Sequence, residues 1–291
     1  MALLLQFILN GIAIGAVYAL VAVGYTLIYG VMKFINFAHG DVVMVGAFIF
    51  YAASKGGHLG FAGALMVAAI ATALFGMLLY LLAYRPLRRA TRLAPLISAI
   101  GVSIALRGAA VWIFGPEIRS VHVPAVFPSI NIFGAVLPGR EIEILLITAS
   151  MAIVLVLLLR HSTLGICVRA VADDREAAEA SGLRAELLIV AVFAAASAIG
   201  AVGGVMVAAS YDLSPSMGTL LGLKAFTASV IGGIGNVTGA LVAGVMVGVF
   251  ENLAAGYLGS AYKDAWALAL LAVFLLAKPT GLFAPAASRK V

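Results

Sequence analysis

Apolar residues run through this chain in long blocks, and short polar breaks separate them. The blocks predict spans at about residues 3–29, 61–84, 95–114, 144–159, 187–210, 238–257 and 264–277, with shorter apolar runs at 42–53 and 223–233. A helix needs about 20 mostly apolar residues to cross a bilayer. Residues 1–32, 56–84, 187–211 and 225–250 contain no Asp, Glu, Lys or Arg. The pattern therefore predicts an all-α polytopic membrane protein of eight or nine segments. The run at 223–233 is too short to span and is broken by Gly232-Gly233-Ile234-Gly235-Asn236. It predicts a half-helix inside the protein, where irregular backbone at membrane depth is tolerated.

The first break is Lys33-Phe34-Ile35-Asn36-Phe37-Ala38-His39-Gly40-Asp41. Lys55-Gly56-Gly57-His58 makes a loop, and Arg85, Arg88, Arg89 and Arg92 make the densest basic loop. Residues 115–143, with Pro116, Pro124, Pro128 and Pro138, form a longer polar loop that takes in Glu117, Glu141 and Glu143. Residues 160–186 are the one strongly charged interruption, RHSTLGICVRAVADDREAAEASGLRAE, with four more Arg. No polar stretch is long enough for a separate soluble domain, so residues 1–291 form one membrane domain with 160–186 as a loop within it.

Short loops rich in Lys and Arg stay in the cytoplasm. Both Arg-rich loops therefore face inward, which places the N-terminus outside. Nine segments bring Lys278, Arg289 and Lys290 inside, whereas eight would leave them out. The opening MALLLQFILN has no basic residue before Lys33, so it is expected to be a retained span and not a cleaved signal. The first span runs inward and the sixth outward, each followed by a short Gly-marked segment, which points to inverted repeats.

Composition agrees: 64% of residues are apolar and 10% charged, with mean hydropathy +1.16, against about 45–50% and about 25% in soluble domains. The net charge of +6 is spread over short loops, so no nucleic-acid partner is expected. Cys167 is the single cysteine, which excludes a disulfide framework and Cys-x-x-Cys sites.

Candidate chemistry is sparse. Gly11 and Gly15, Gly235 and Gly239, and Gly244 and Gly248 have small-xxx-small spacing; they serve close helix packing or, in a sharper reading, sliding helices. Gly233-x-Gly235-x-x-x-Gly239 misses the dinucleotide spacing. Asn236-Val237-Thr238 matches a glycosylation sequon at a depth that makes it coincidental. Arg107, Lys224 and Glu251 are charges inside apolar runs, with Asp41 beside a break; Glu251, the one acid well inside a span, is expected in an internal ion pair or a hydrogen-bonded contact, with Lys224 as a candidate partner. His39 has no partner at metal-ligand spacing and is expected to support the helix break, where Asn36 and Asp41 satisfy freed backbone groups. Asn36, His39, Asp41 and Asn236 are thus the candidates for a translocation pathway built on helix breaks.

Within the interruption, Asp173 and Asp174 are good N-caps, 176–180 are helix formers, and Gly182 is a stop. They predict a two-turn polar helix that is either a solvated loop helix or a docking knob, with Ala177 and Ala178 small enough to enter a groove. The chain has no P-loop, no G-x-S-x-G and no H-E-x-x-H. An enzyme is therefore not expected, nor any cofactor or metal. A transporter driven by partner chains and a self-powered carrier or channel for small neutral solutes such as urea or amides both fit the residues.

Three segments together, Asn10-Gly11 with 15–20, 35–41, and Gly165 with Arg169-Ala170 and 178–183, resemble the permease subunits of branched-chain amino-acid ATP-binding-cassette importers, and specifically the shorter of their two permeases. Residues 230–236 resemble that family's half-helix. The resemblance implies a bacterial inner-membrane permease that works with a second related permease, two ATP-binding subunits and a periplasmic binding protein, and that carries an amino acid of the Leu/Ile/Val class. It also implies that 160–186 is the coupling loop, with Arg169, Asp173, Asp174, Ala177, Ala178 and Gly182 at the ATPase contact. The Asp173-Asp174-Arg175 stretch departs from the family pattern and implies a role in partner choice.

Overall fold

The computed structural model describes residues 2–55, 59–91, 93–121 and 125–283. Gly56, Gly57, His58, Arg92, Pro124, Arg289 and Lys290 lie outside the described residues; Arg88 and Arg89 are described as backbone only.

The helices are α1 (Ala2–Met32), α2 (His39–Lys55), α3 (Phe61–Leu79), α4 (Leu93–Phe114), α5 (Gly139–His161), α6 (Thr163–Asp173), α7 (Arg175–Ala180), α8 (Ala185–Ser210), α9 (Met217–Gly232), α10 (Val237–Leu258) and α11 (Lys263–Ala277). Among the described residues seven helices are long and apolar enough to cross a membrane. Adding the shorter α2 and α9 makes nine hydrophobic segments. At 1.5 Å per residue these two are roughly 24–26 Å long. The α9 helix starts at Met217, six residues before the expected half-helix, because a turn carries Met217 N–H to the Ser214 carbonyl at 3.1 Å and opens the helix early.

Three local features were not expected. The polar loop before α5 contains a hairpin, β1 (Ile130–Ile132) and β2 (Ala135–Leu137). Gln6 clamps it, accepting from Val136 N–H at 2.7 Å and donating to the Val136 carbonyl at 2.8 Å. The α5 helix begins at Gly139, so Glu141 sits in its first turn, where an acid suits the helix dipole, and Glu143 follows in the second. The α3 helix ends in a π turn, Tyr80–Tyr84, which turns two tyrosines fully into the core.

The packing has an internal exchange symmetry. The α1 helix packs on α8, α9 and α10, while α8 packs on α1, α2 and α3. The α2–α3 contact corresponds to α9–α10, and α2–α4 to α9–α11. Both long pairs are antiparallel and close. A Cβ on Gly11 would stand 2.6 Å from Val249 Cα, and one on Gly15 2.8 Å from Val245 Cα. On the other side a Cβ on Gly76 would stand 2.6 Å from Ser197 Cβ, with Tyr80 on Phe193 one turn later. This is the inverted-repeat arrangement expected from the two short Gly-marked segments. The small-xxx-small glycines of α1 and α10 are its packing seam, where backbones touch.

Candidate functional site

The first break is built from its own polar groups. Lys33 takes a positive φ of 57°, which ends α1. Asn36 Oδ1 then accepts from Ala38 N–H at 3.2 Å and from the Tyr84 hydroxyl at 2.7 Å. Its carbonyl accepts from His39 N–H at 3.0 Å. The π turn in α3 thus has a use: it aims Tyr84 at the break, and such turns gather at functional sites.

His39 opens α2 with no exposed surface. Its ring stands edge-on to Tyr25, centroids 4.9 Å apart, and faces the Val21 carbonyl. A Cβ on Gly24 or Gly200 would press on the ring, so both glycines form its notch. Among the described residues no three His, Cys, Asp or Glu converge on a metal-sized site. His39 is thus a fully buried ring packed at the start of α2.

Asp41, one residue past Gly40, is 2% exposed and accepts the Ser103 hydroxyl at 2.5 Å. Arg107 Nε lies 3.7 Å from it. At this level the two short helices cross. A Cβ on Gly40 would stand 2.8 Å from Gly222 Cα, and one on Gly218 3.0 Å from Asp41 Cα. No side chain fits between α2 and α9 there.

Asn236 is not part of this cluster. It caps α10, accepting from Gly239 N–H at 2.9 Å, and donates to the Phe283 carbonyl at 2.7 Å. It borders a separate cleft of about 360 Å³ with Arg160 and Arg169, on the side of the molecule that carries α6. The structure therefore brings Asn36, His39 and Asp41 together and leaves Asn236 apart. A break in sequence marks a helix end, and helix ends occur at both the middle and the edge of a bundle.

The charged interruption folds as two helices, not one. Ser162 caps α6 by accepting from Gly165 N–H at 3.0 Å. A Cβ on Gly165 would collide with the Leu158 and Leu159 carbonyls, so this glycine lets α6 fold back on α5. Arg169 donates to the Leu159 carbonyl and closes the end of α5. Of the two expected N-caps only Asp174 is one, accepting from Ala177 N–H at 3.0 Å; Asp173 is the last residue of α6. Gly182 stops α7 with φ of 86°. Its N–H donates to the Glu179 carbonyl and Leu183 N–H to the Ala178 carbonyl, which together make a Schellman motif. The two alanines part company: Ala177 faces out, whereas Ala178 is 4% exposed and packs into the chain's own core. Bulk at Ala178 would therefore displace α7 itself.

Ion pairs tie this hook to the bundle. Arg175 binds Glu179 at 2.8 Å and Glu186 at 3.3 Å, and Glu186 also binds Arg85 at 2.9 Å. Part burial opposes the Arg175 charge, but its hydrogen bonds to Glu179 and Glu186 hold its pKa above the usual arginine value. A cleft of about 920 Å³ separates Asp173, Asp174, Arg175 and Glu176 from Lys33 and Phe34 at the first break. Sequence reasoning missed Tyr84, Ser103, Arg85 and Glu186. Ser103 and Arg107, four apart on an apolar helix, were the one visible signal among these.

Lys224 and Glu251 do pair, at 2.9 Å, and the pair extends to Asp264 and Lys263 on α11.

A family profile described as branched-chain amino acid transport system, permease component, matches residues 7–277. The chain is 38% identical to the high-affinity branched-chain amino acid transport system permease protein BraD of Pseudomonas aeruginosa, covering 96% of this chain and 95% of that protein. It is 36% identical to the LivH permease protein of Escherichia coli K12, covering 96% and 94%, and 27% identical to a probable LivH permease of Methanocaldococcus jannaschii, covering 90% and 87%. With a profile match over nearly its whole length, and seven helices among the described residues long and apolar enough to cross a membrane, the chain belongs to the family of permease components of branched-chain amino acid transport systems.

Proposed function

We propose that this chain is the permease of an ATP-driven importer that carries amino acids of the Leu/Ile/Val class across the bacterial plasma membrane. The observation that carries the reading is the α6–α7 hook. It is a polar, doubly capped, ion-paired projection on a chain with no nucleotide-binding motif of its own. A six-residue helix has no stability alone in water. The Arg85 and Glu186 pairs and the Schellman stop hold this one in a fixed pose, as a docking element needs.

In this reading α6 and α7 face the cytoplasm, the N-terminus lies outside and the C-terminus inside, following the positive-inside bias. An ATP-binding subunit grips the outward face of α7 at Ala177; Asp174 and Gly182 fix the two ends of α7, Ala178 anchors it from the core side, and Arg169 and Asp173 belong to the adjoining α6. The full assembly adds a second related permease, a second ATP-binding subunit and a periplasmic binding protein that delivers substrate. Asn36 holds the helix break, with His39 packed behind it; Asp41, expected to satisfy freed backbone groups there, instead bonds Ser103 of α4 and lies beside the pathway, and Asn236 holds the α9–α10 turn at its cytoplasmic edge. No bond of the substrate is made or broken. Closure of the ATPase pair rotates the permeases between outward- and inward-open forms.

The test is Ala177→Trp. Overpacking a fitted interface costs about 1–3 kcal/mol, which weakens a contact roughly 5- to 150-fold. The variant should insert normally, lose co-purifying ATPase and lose leucine uptake. Normal ATPase recovery with normal uptake would remove α7 as the docking element and favour a self-powered carrier.

A further inference from the structure

Between α1, α2, α4 and α9 lies a cavity of about 220 Å³. Phe37, Ile100, Leu223 and Phe226 make its apolar walls, and Asp41 and Ser103 its polar corner. One Asp41 oxygen, Oδ2, takes the Ser103 hydroxyl; the other, Oδ1, takes no hydrogen bond although it is buried. Arg107 Nε is its nearest cation at 3.7 Å, beyond hydrogen-bond reach. Arg107 is itself held on the Ser103 carbonyl at 3.4 Å and hydroxyl at 3.2 Å, yet 37% of its side chain is exposed.

Two points follow. An exposed guanidinium in the middle of a 22-residue apolar helix does not face lipid, because a charge at that depth is expensive unless it meets water or protein. This face of α4 therefore borders a wet path or a partner subunit. Second, a purely structural Asp–Arg pair gains most from direct hydrogen bonds at about 2.7–2.9 Å. Here the two charges are oriented toward each other but held apart by Ser103, so each keeps unused bonding capacity.

We propose that Asp41 and its aromatic cavity, with Arg107 just outside the lining and held against Ser103, form a subsite for the zwitterionic head group of an aliphatic amino acid. The substrate ammonium donates to Asp41 Oδ1, the substrate carboxylate accepts from Arg107, and the branched side chain lies against Phe37, Ile100, Leu223 and Phe226. The inference rests on the permease reading above and deepens it by placing recognition in the membrane domain as well as in the binding protein. Such a site rejects ligands that lack either charge, because its own polar groups would be left unpaired.

The experiment uses the purified permease–ATPase complex without binding protein and reads thermal unfolding against ligand, since a ligand of the folded state raises the midpoint. The ligands are leucine, 4-methylpentanoate, which lacks the ammonium, and 3-methylbutylamine, which lacks the carboxylate. Leucine should raise the midpoint. Each single-charge analogue should act with an apparent affinity about 10- to 100-fold weaker, the range for losing a charged hydrogen-bond partner. Asp41→Asn should erase the preference for leucine over 4-methylpentanoate. No shift with leucine up to its solubility, an equal shift with 4-methylpentanoate, or retained preference in Asp41→Asn overturns the subsite. If Asp41→Asn fails to assemble, the ligand series on the unsubstituted complex decides alone. Failure here with leucine uptake by the complete transporter intact removes the subsite only; absence of uptake by the complete, unsubstituted transporter removes the permease reading itself.

Discussion

Lys224→Met puts the sharpest demand on the packing described above. Glu251 has no exposed surface, and the Lys224 side chain is 10% exposed. Lys224 Nζ stands 2.9 Å from Glu251 and 2.5 Å from Asp264, over the Tyr18 ring at 5.7 Å. Removing the lysine strands Glu251 with Lys263 alone, at 3.5 Å from a side chain 32% exposed. Breaking a buried pair costs about 3–5 kcal/mol, and a partly exposed substitute returns at most about 1, so the net loss is about 2–5 kcal/mol. Glu251→Leu should cost less, because Lys224 keeps Asp264 and its long stem reaches toward the surface. The double variant Lys224→Met/Glu251→Leu removes both charges together and should be neutral or more stable by about 1–4 kcal/mol. The coupling between the two sites is then at least about 2 kcal/mol. SDS-titration unfolding in mixed micelles measures all four proteins, with leucine uptake alongside. If the double variant loses the sum of the two single losses, the pair is not the coupled buried unit described here. If it folds stably but does not transport, the pair works in transport as well as in the fold.

The α1–α10 seam makes a second comparison. Gly248→Val thrusts a side chain onto the Gly15 and Gly11 backbone, which cannot turn aside, and should cost about 1–3 kcal/mol or more. Gly30→Ala on the same α1 meets nothing within 4 Å and should be neutral or stabilising by up to about 1 kcal/mol; equal losses in the two would refute the seam. For orientation, cysteines replacing Glu117 and Glu176, both exposed, are placed in a Cys167→Ser background. An impermeant maleimide should reach position 117 in intact cells and position 176 only after the membrane is opened, and the opposite pattern would invert the topology.

What could be read from sequence follows from range. Hydrophobic length is local, so the spans at 61–84 and 238–257 were legible to within a few residues. Caps and stops are also local: Asp174 and Gly182 do what their residue types predict, over three or four residues. The Lys224–Glu251 pair was legible for another reason, since two buried opposite charges have few other ways to be satisfied. Contacts between distant helices were not legible. Nothing near Tyr84 in sequence announces a π turn aimed 48 residues back at Asn36. Ala177 and Ala178 look alike in sequence, and only the rotation of α7 decides that one faces solvent and the other the core. Asn236 follows a helix end as Asn36 does, but it caps α10 beyond the end of α9, and that places it at the edge of the bundle.

The exchange symmetry and the hook meet in α8. Its first turn carries Glu186, which holds Arg175 of the hook and Arg85 at the end of α3. About 21 Å along the same helix at 1.5 Å per residue, Gly200 and Gly204 form the surface on which His39 and Val43 of α2 rest. The hook and the seat of the first break are thus joined by one unbroken helix, the route a displacement of the hook would take under the proposed coupling. In the other half α1 carries α9 through Tyr25 against Gly222 and Phe226. Each short helix is thus borne by the long helix of the other half, and the two short helices touch at Gly40, Gly218 and Gly222. Rotation of one half against the other must shear that contact. Residues without side chains leave no knob to climb out of its hole, so the shear there meets only backbone against backbone. The Asp41 corner of the cavity lies one residue from that contact, and Gly218 and Gly222 line the cavity themselves, so any such rotation would reshape it.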